Sequence, residues 1–130
     1  MKNFKIKIYV LKMGVKLMCD KLKLDEITKI IIARLKQIFK NKLKDVILFG
    51  SYARGNFDED SDIDIFVLVD MDDLELNNFI PVVTDATFDL DLKYNTTISI
   101  ILKSLDHFEL WKDTLPFYRN VLNEGVKMSA

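Results

Sequence analysis

The chain has 130 residues, of which 49% are hydrophobic, so it is long enough and apolar enough to fold as one domain around its own core. Nineteen Lys and Arg against twenty Asp and Glu leave a net charge of −1, which argues against a general nucleic-acid binder with a basic face. The single cysteine, Cys19, excludes a disulfide framework and a structural zinc site, and its free thiol points to a reducing, cytoplasmic setting.

Residues 1–20 mix lysines with apolar residues and read as an N-terminal extension of unknown role; a single domain is expected over residues 21–130. The extension shows no unbroken apolar core and no small-residue cleavage site, so no secretory signal is expected, and no run approaches the ~18 apolar residues of a membrane span. Asp25 to Leu43 is predicted as an amphipathic helix with Asp25 as its cap. Ile27, Ile30, Ile31, Leu35, Ile38 and Phe39 recur there at helical spacing, with Lys29, Arg34, Lys36 and Lys40 between them. Strands are predicted at Asp45–Phe49 and Ile63–Val69. Both are apolar on both faces, so helices should cover the sheet they form. Asp72 to Lys93 reads as helical, with Pro81 breaking or restarting the helix. Asn95 marks a turn before a third strand, Thr97–Lys103. Ser104 should cap a short helix carrying His107, Phe108 and Trp111. A last helix from about Thr114 to Glu124 stops at Gly125, with Phe117, Val121 and Leu122 expected on the core side. Trp111, Pro116, Phe117 and Tyr118 are read as packing rather than as an aromatic binding patch. The fold class is α+β, a small mixed sheet covered by helices.

The chemistry is concentrated between the first two strands. Val46 to Phe49 runs into Gly50-Ser51, and ten residues later Asp62-Ile63-Asp64 opens the next apolar run. Gly50 permits a sharp turn and a close ligand approach. Ser51 is a candidate cap of the turn that follows, with its hydroxyl and nearby N–H groups available to a phosphate. Arg54 adds a fixed positive charge whose fork matches phosphate. Asp62 and Asp64 stand two apart on a strand, so both carboxylates share one face. Carboxylates so placed repel unless a cation sits between them, and magnesium takes one or two carboxylates together with substrate phosphates. Taken singly, a Gly-Ser turn or an Asp-x-Asp pair is ordinary; their succession across two strands is not.

This stretch, from Val46 to Val69, resembles the signature of the polymerase-beta-like nucleotidyltransferase superfamily, and more narrowly its minimal nucleotidyltransferases. Ser104 to Phe108 and Pro116 to Val126 resemble the ending of many such small proteins, so the resemblance covers roughly residues 25–128. It implies a nucleotidyltransferase-like fold and transfer of a nucleoside monophosphate, most often AMP, from ATP to a hydroxyl. Gly50 and Ser51 would then hold the triphosphate, with Arg54 assisting, while Asp62 and Asp64 would be the catalytic acids and hold Mg2+, two ions in all. Many minimal members act as antitoxins that adenylylate a partner HEPN-domain toxin, so a protein acceptor of that kind is implied.

The family pattern has a third carboxylate on a neighbouring strand, and Thr97 to Lys103 carries none. Thr97 and Ser99 occupy the face where it would stand, and Asp85, Asp89 and Asp91 fall earlier, in a predicted helix. The expectation is therefore a slow transferase, with an inactive binding partner, or an enzyme acting on a small molecule or RNA end, left open. Charge is unevenly spread. Residues 1–54 hold fourteen of the nineteen Lys and Arg, whereas residues 55–92 hold none and carry twelve of the twenty acids. The Asp pair thus sits in a field that suits cations and disfavours a bare nucleic-acid strand. No membrane association is expected, and homo-oligomers stay open.

Overall fold

The computed structural model describes residues 2–58 and 61–128, with side chains from residue 21 onward. Backbone contacts divide it into two units, Met1–Ile30 and Ile31–Ala130. Within the first, the Thr28 hydroxyl donates to the Asp25 carbonyl at 3.0 Å and Lys29 pairs with Asp25 at 3.0 Å. Helix α1 runs without interruption over Lys2–Phe39. Asp25 therefore lies in a helix interior and is not the cap expected of it.

In the second unit a single 3₁₀ turn, Lys40–Lys42, leads into β1 (Leu43–Phe49), and α2 (Gly50–Arg54) follows directly. Then come β2 (Ile63–Val69), α3 (Asp73–Asn77), α4 (Ile80–Tyr94), β3 (Ile98–Ser104), α5 (Leu105–Trp111), α6 (Pro116–Glu124) and β4 (Val126–Lys127). The strand order is β3-β2-β1-β4. β1 is antiparallel to both β2 and β4, and β2 is parallel to β3. The sheet is therefore mixed and helices cover it, as expected. A parallel neighbour cannot be reached by a tight turn. The stretch between β2 and β3, carrying α3 and α4, supplies the crossover.

Several local signals act as the sequence suggested. The Asp72 carboxylate accepts from the Glu75 N–H at 2.8 Å and caps α3. Pro81 sits in the first turn of α4, where its missing N–H costs nothing. Asn95 ends α4 in the left-handed region at φ 48°. The Ser104 hydroxyl accepts from the His107 N–H at 3.1 Å and caps α5.

β2 is the central strand, and every one of its residues except Asp64 is buried. Strand alternation sorts its side chains. Phe66 and Leu68 share a face with Ile47 of β1 and pack with Phe108, Tyr118 and Val121 from α5 and α6. Ile63, Ile65, Val67 and Val69 fill the opposite face. The C-terminal part of α1 contributes buried Ile31, Leu35 and Phe39, and α4 contributes buried Val83, Thr87 and Leu90. Arg34 ties these two helices. Its guanidinium donates to the Ala86 carbonyl at 2.6 Å and to both carboxylate oxygens of Asp89, at 2.6 and 3.0 Å. On α6 the buried stripe is Tyr118 and Val121, while Phe117 and Leu122, expected in the core, are both more than a third exposed. Helix phase explains the correction: Tyr118 and Val121 are three apart on one side, and Phe117 and Leu122 flank it.

Candidate active site

Antiparallel pairing of β1 with β2 places Phe49 opposite Asp64. The chain leaves β1 at Gly50, whose φ of +74° lies in the left-handed region. A Cβ at Gly50 would strike the Asp64 carboxylate. The glycine thus meets two demands at once: a backbone angle that side chains resist, and a turn seated against the acid of the neighbouring strand. The two halves of the motif, ten residues apart in sequence, form one locus.

Asp62 lies one residue before β2 and is exposed, whereas Asp64 is partly buried within the strand. Alternation still directs both toward the face shared with Phe66. The Ile63 N–H donates to the Thr97 carbonyl at 2.8 Å and fixes the backbone between the two acids. Burial pushes the Asp64 carboxyl above its ordinary value, the neighbouring Asp62 charge adds to that, and Arg54 opposes it. A carboxylate held near a like charge and partly out of water is a ready cation ligand. Paired oxygen donors beside a phosphate-accessible turn fit magnesium in particular. Among the described residues, no cluster of three or more His, Cys, Asp or Glu is assembled.

Ser51 does not cap α2. The residue preceding that helix is Phe49, in extended conformation and without a side-chain cap hydrogen bond. Its hydroxyl is therefore not committed to that role. Arg54 ends α2 and pairs with Glu124 of α6 at 3.3 Å. Gly55 then closes the helix at φ +79°. The Tyr52 and Phe57 rings stack at 4.4 Å and fold the following loop back. The Asp58 N–H donates to the Ser61 hydroxyl, and that hydroxyl donates to the Asp58 carboxylate, which orders the approach to Asp62.

The parallel register puts Ser99 beside Asp64. Of the three acids of α4, Asp89 binds Arg34 and Asp91 accepts from the Ile98 N–H at 3.1 Å, at the start of β3. Asp85 is exposed on α4.

A nucleotidyltransferase domain family model matches residues 28–121. This chain belongs to the nucleotidyltransferase domain family. It is 42% identical over 91 residues to "Putative protein adenylyltransferase MJ0604" of Methanocaldococcus jannaschii, covering 70% of this chain and 83% of that protein. It is 40% identical over 106 residues to "Putative protein adenylyltransferase MJ0141" of the same organism, covering 79% and 96%. A solved structure described as "Crystal structure of the toxin-antitoxin with AMP-PNP" aligns at a TM-score of 0.45 and 21% identity, over 75% of this chain and 68% of that one. The protein is a nucleotidyltransferase. Among the described residues, no helix is long and apolar enough to cross a membrane.

Sequence reasoning did not find the contribution of α6. Phe117, Asn120 and Glu124 line a pocket of about 200 Å³ with Phe49, Gly50 and Arg54. Their spacing of three and four residues was the available signal, but the same spacing also reads as a core stripe.

Proposed function

We propose that this nucleotidyltransferase transfers AMP from ATP to a hydroxyl of a protein acceptor, with Asp62 and Asp64 as the catalytic acids that hold magnesium. The single observation that carries the reading is the Gly50 turn seated on the Asp64 carboxylate, which merges a phosphate turn and an acid pair into one site. Gly50 and Ser51 would hold the β and γ phosphates by close backbone and hydroxyl approach, and the Arg54 guanidinium would offset their charge. Magnesium bound at the two carboxylates would stabilise charge on the attacking and leaving oxygens. The acceptor hydroxyl oxygen forms its bond to the α phosphorus and gives up its proton to solvent, and pyrophosphate departs with the electron pair of the phosphorus–oxygen bond that breaks. Positioning and charge stabilisation carry most of such chemistry.

The names of the 42% and 40% identical relatives favour adenylyl transfer to protein. A HEPN-domain toxin is the acceptor suggested by the resemblance to minimal nucleotidyltransferases, and such an antitoxin would work in the cytoplasm. Ser99 beside Asp64, where the resemblance to the superfamily implies an acid, favours a slow transfer and gives weight to a second reading, a partner that blocks by contact alone. General-base help is typically worth ~10² to 10⁴-fold, so its loss slows transfer without forbidding it.

The test is calorimetric titration of ATP with magnesium into wild type and the Asp62→Asn, Asp64→Asn double variant, followed by labelled ATP with a lysate of the source cells. The double variant should keep its melting transition and lose metal-dependent ATP binding, and one labelled protein band should appear with wild type only. Unchanged binding by the double variant would sink the site assignment. Intact ATP binding with no label transferred would favour the contact-only reading.

A further inference from the structure

The face of the sheet that carries Asp64 continues past Gly50 into the pocket between the end of β1 and α6. Gly50 belongs to both places: it abuts the Asp64 carboxylate and it lines the pocket. A nucleotide whose phosphates rest at the turn therefore has the pocket within reach of its other end. At about 200 Å³ the space is smaller than the roughly 300–1,000 Å³ of whole-ligand sites, and it suits one part of a nucleotide.

The lining has the composition of a base site. Phe117 is 38% exposed although Phe49 packs on it edge-on at 5.6 Å, Phe66 at 5.8 Å and the adjacent Tyr118 at 6.0 Å. An aromatic held by its neighbours and still partly open is a rigid platform for a planar heterocycle. Asn120 follows one turn later on the same side of α6 and is exposed. Glu124, one turn further, engages Arg54 at 3.3 Å. With the phosphates assigned to the Gly50 turn, the uncharged end of the substrate falls on the α6 side of the pocket.

We propose that this pocket receives the nucleobase of the triphosphate, with Phe117 packing on the ring and Asn120 reading its edge; this rests on the assignment of the phosphates to the Gly50 turn. The Asn120 amide offers one donor and one acceptor side by side. Adenine matches both through its ring nitrogen and its exocyclic amine, whereas the same edge of guanine presents two acceptors and leaves half of the amide unpaired. The pocket therefore selects ATP over GTP.

Calorimetry with ATP, GTP and inorganic tripolyphosphate, each with magnesium, tests this on wild type, Phe117→Ala, Phe117→Leu and Asn120→Ala. Phe117→Ala should weaken both nucleotides about fivefold to a hundredfold and leave tripolyphosphate unchanged. Phe117→Leu keeps apolar contact with Phe49 and Phe66, so it carries the test with a smaller loss if the alanine variant unfolds. Asn120→Ala should reduce the ATP-to-GTP affinity ratio about fivefold or more. The proposal is overturned if folded Phe117 variants bind ATP as wild type does, as they would were the pocket to take an acceptor side chain. Equal loss of tripolyphosphate and ATP would overturn it too, as would a wild type that does not distinguish ATP from GTP. Tripolyphosphate binding that survives in a folded Gly50→Val variant would instead overturn the phosphate site itself, so the two failures are told apart.

Discussion

Replacing Gly50 by alanine separates the two demands made on that residue. Gly50 and Gly55 have nearly the same positive φ, 74° and 79°, but their surroundings differ. A Cβ at Gly50 meets the Asp64 carboxylate, whereas a Cβ at Gly55 meets nothing within 4 Å. Gly55→Ala should therefore incur only the left-handed backbone cost, about 1–2 kcal/mol. Gly50→Ala incurs the same cost and must also displace Asp64, a strain of about 1–3 kcal/mol. At about 4–8 °C per kcal/mol for a domain of this size, the second variant should melt several degrees below the first. Urea and thermal denaturation give the two values. The same pair made in an Asp64→Ala background isolates the contact, because only the backbone cost should then remain at residue 50. A coupling of about 1–3 kcal/mol between Gly50→Ala and Asp64→Ala is expected. If Gly50→Ala costs no more than Gly55→Ala, or if its cost is unchanged without the Asp64 side chain, the turn is not seated on the acid. The reasoning for a shared site then fails.

Three further changes follow from the geometry. Ser99→Asp should raise the rate of AMP transfer by supplying an acid beside Asp64; a single-turnover assay reads this, and an unchanged or lower rate speaks against Ser99 as the vacant acid position. The hydrogen bonds from Arg34 hold the Asp89 carboxyl below its ordinary value, so their stabilisation is present above the unfolded pKa of about 3.9 and is lost as pH falls through the lower folded value. Melting temperatures of Asp89→Asn and wild type should accordingly differ at neutral pH and converge as the pH falls below that lower folded value, and a gap that is constant with pH would contradict the pairing. Ser104→Ala removes the cap of α5 and should cost about 1 kcal/mol in urea denaturation, with a value near zero showing that the His107 N–H finds another acceptor.

The sequence made the sheet legible where periodicity was strong. Ile63–Val69 is apolar throughout because the strand is central and buried on both faces, and its limits follow from composition alone. The placement of Ser99 beside that strand was also readable, since Thr97 and Ser99 alternate with isoleucines and a parallel neighbour suits the long crossover. What escaped reading has physical causes. The two residues of β4 are too few for any alternation to show, and only the partner strand makes them a strand. The phase of α6 was ambiguous because Phe117, Tyr118, Val121 and Leu122 permit two apolar stripes. The pocket wall decided between them, and it is built from residues some seventy positions apart, such as Arg54 and Glu124. Ser51 looked like a cap because its type favours caps, but the positive φ of Gly50 moves the helix start before it.

The two residues of β4 pair with Ile47 and Leu48, at the end of β1 that runs into Gly50, and the Met128 N–H reaches the Val46 carbonyl at 2.9 Å. Gly125 lies so close to Val121 and Ile47 that no side chain fits there. The tail thereby buckles α6 to β1 only a few residues before the strand delivers Gly50. One rigid spar carries the turn at its tip and, through the buckle, the helix that faces it. Slack introduced at Gly125 would thus be felt as a change in the width of the cleft, although Gly125 itself does not line it.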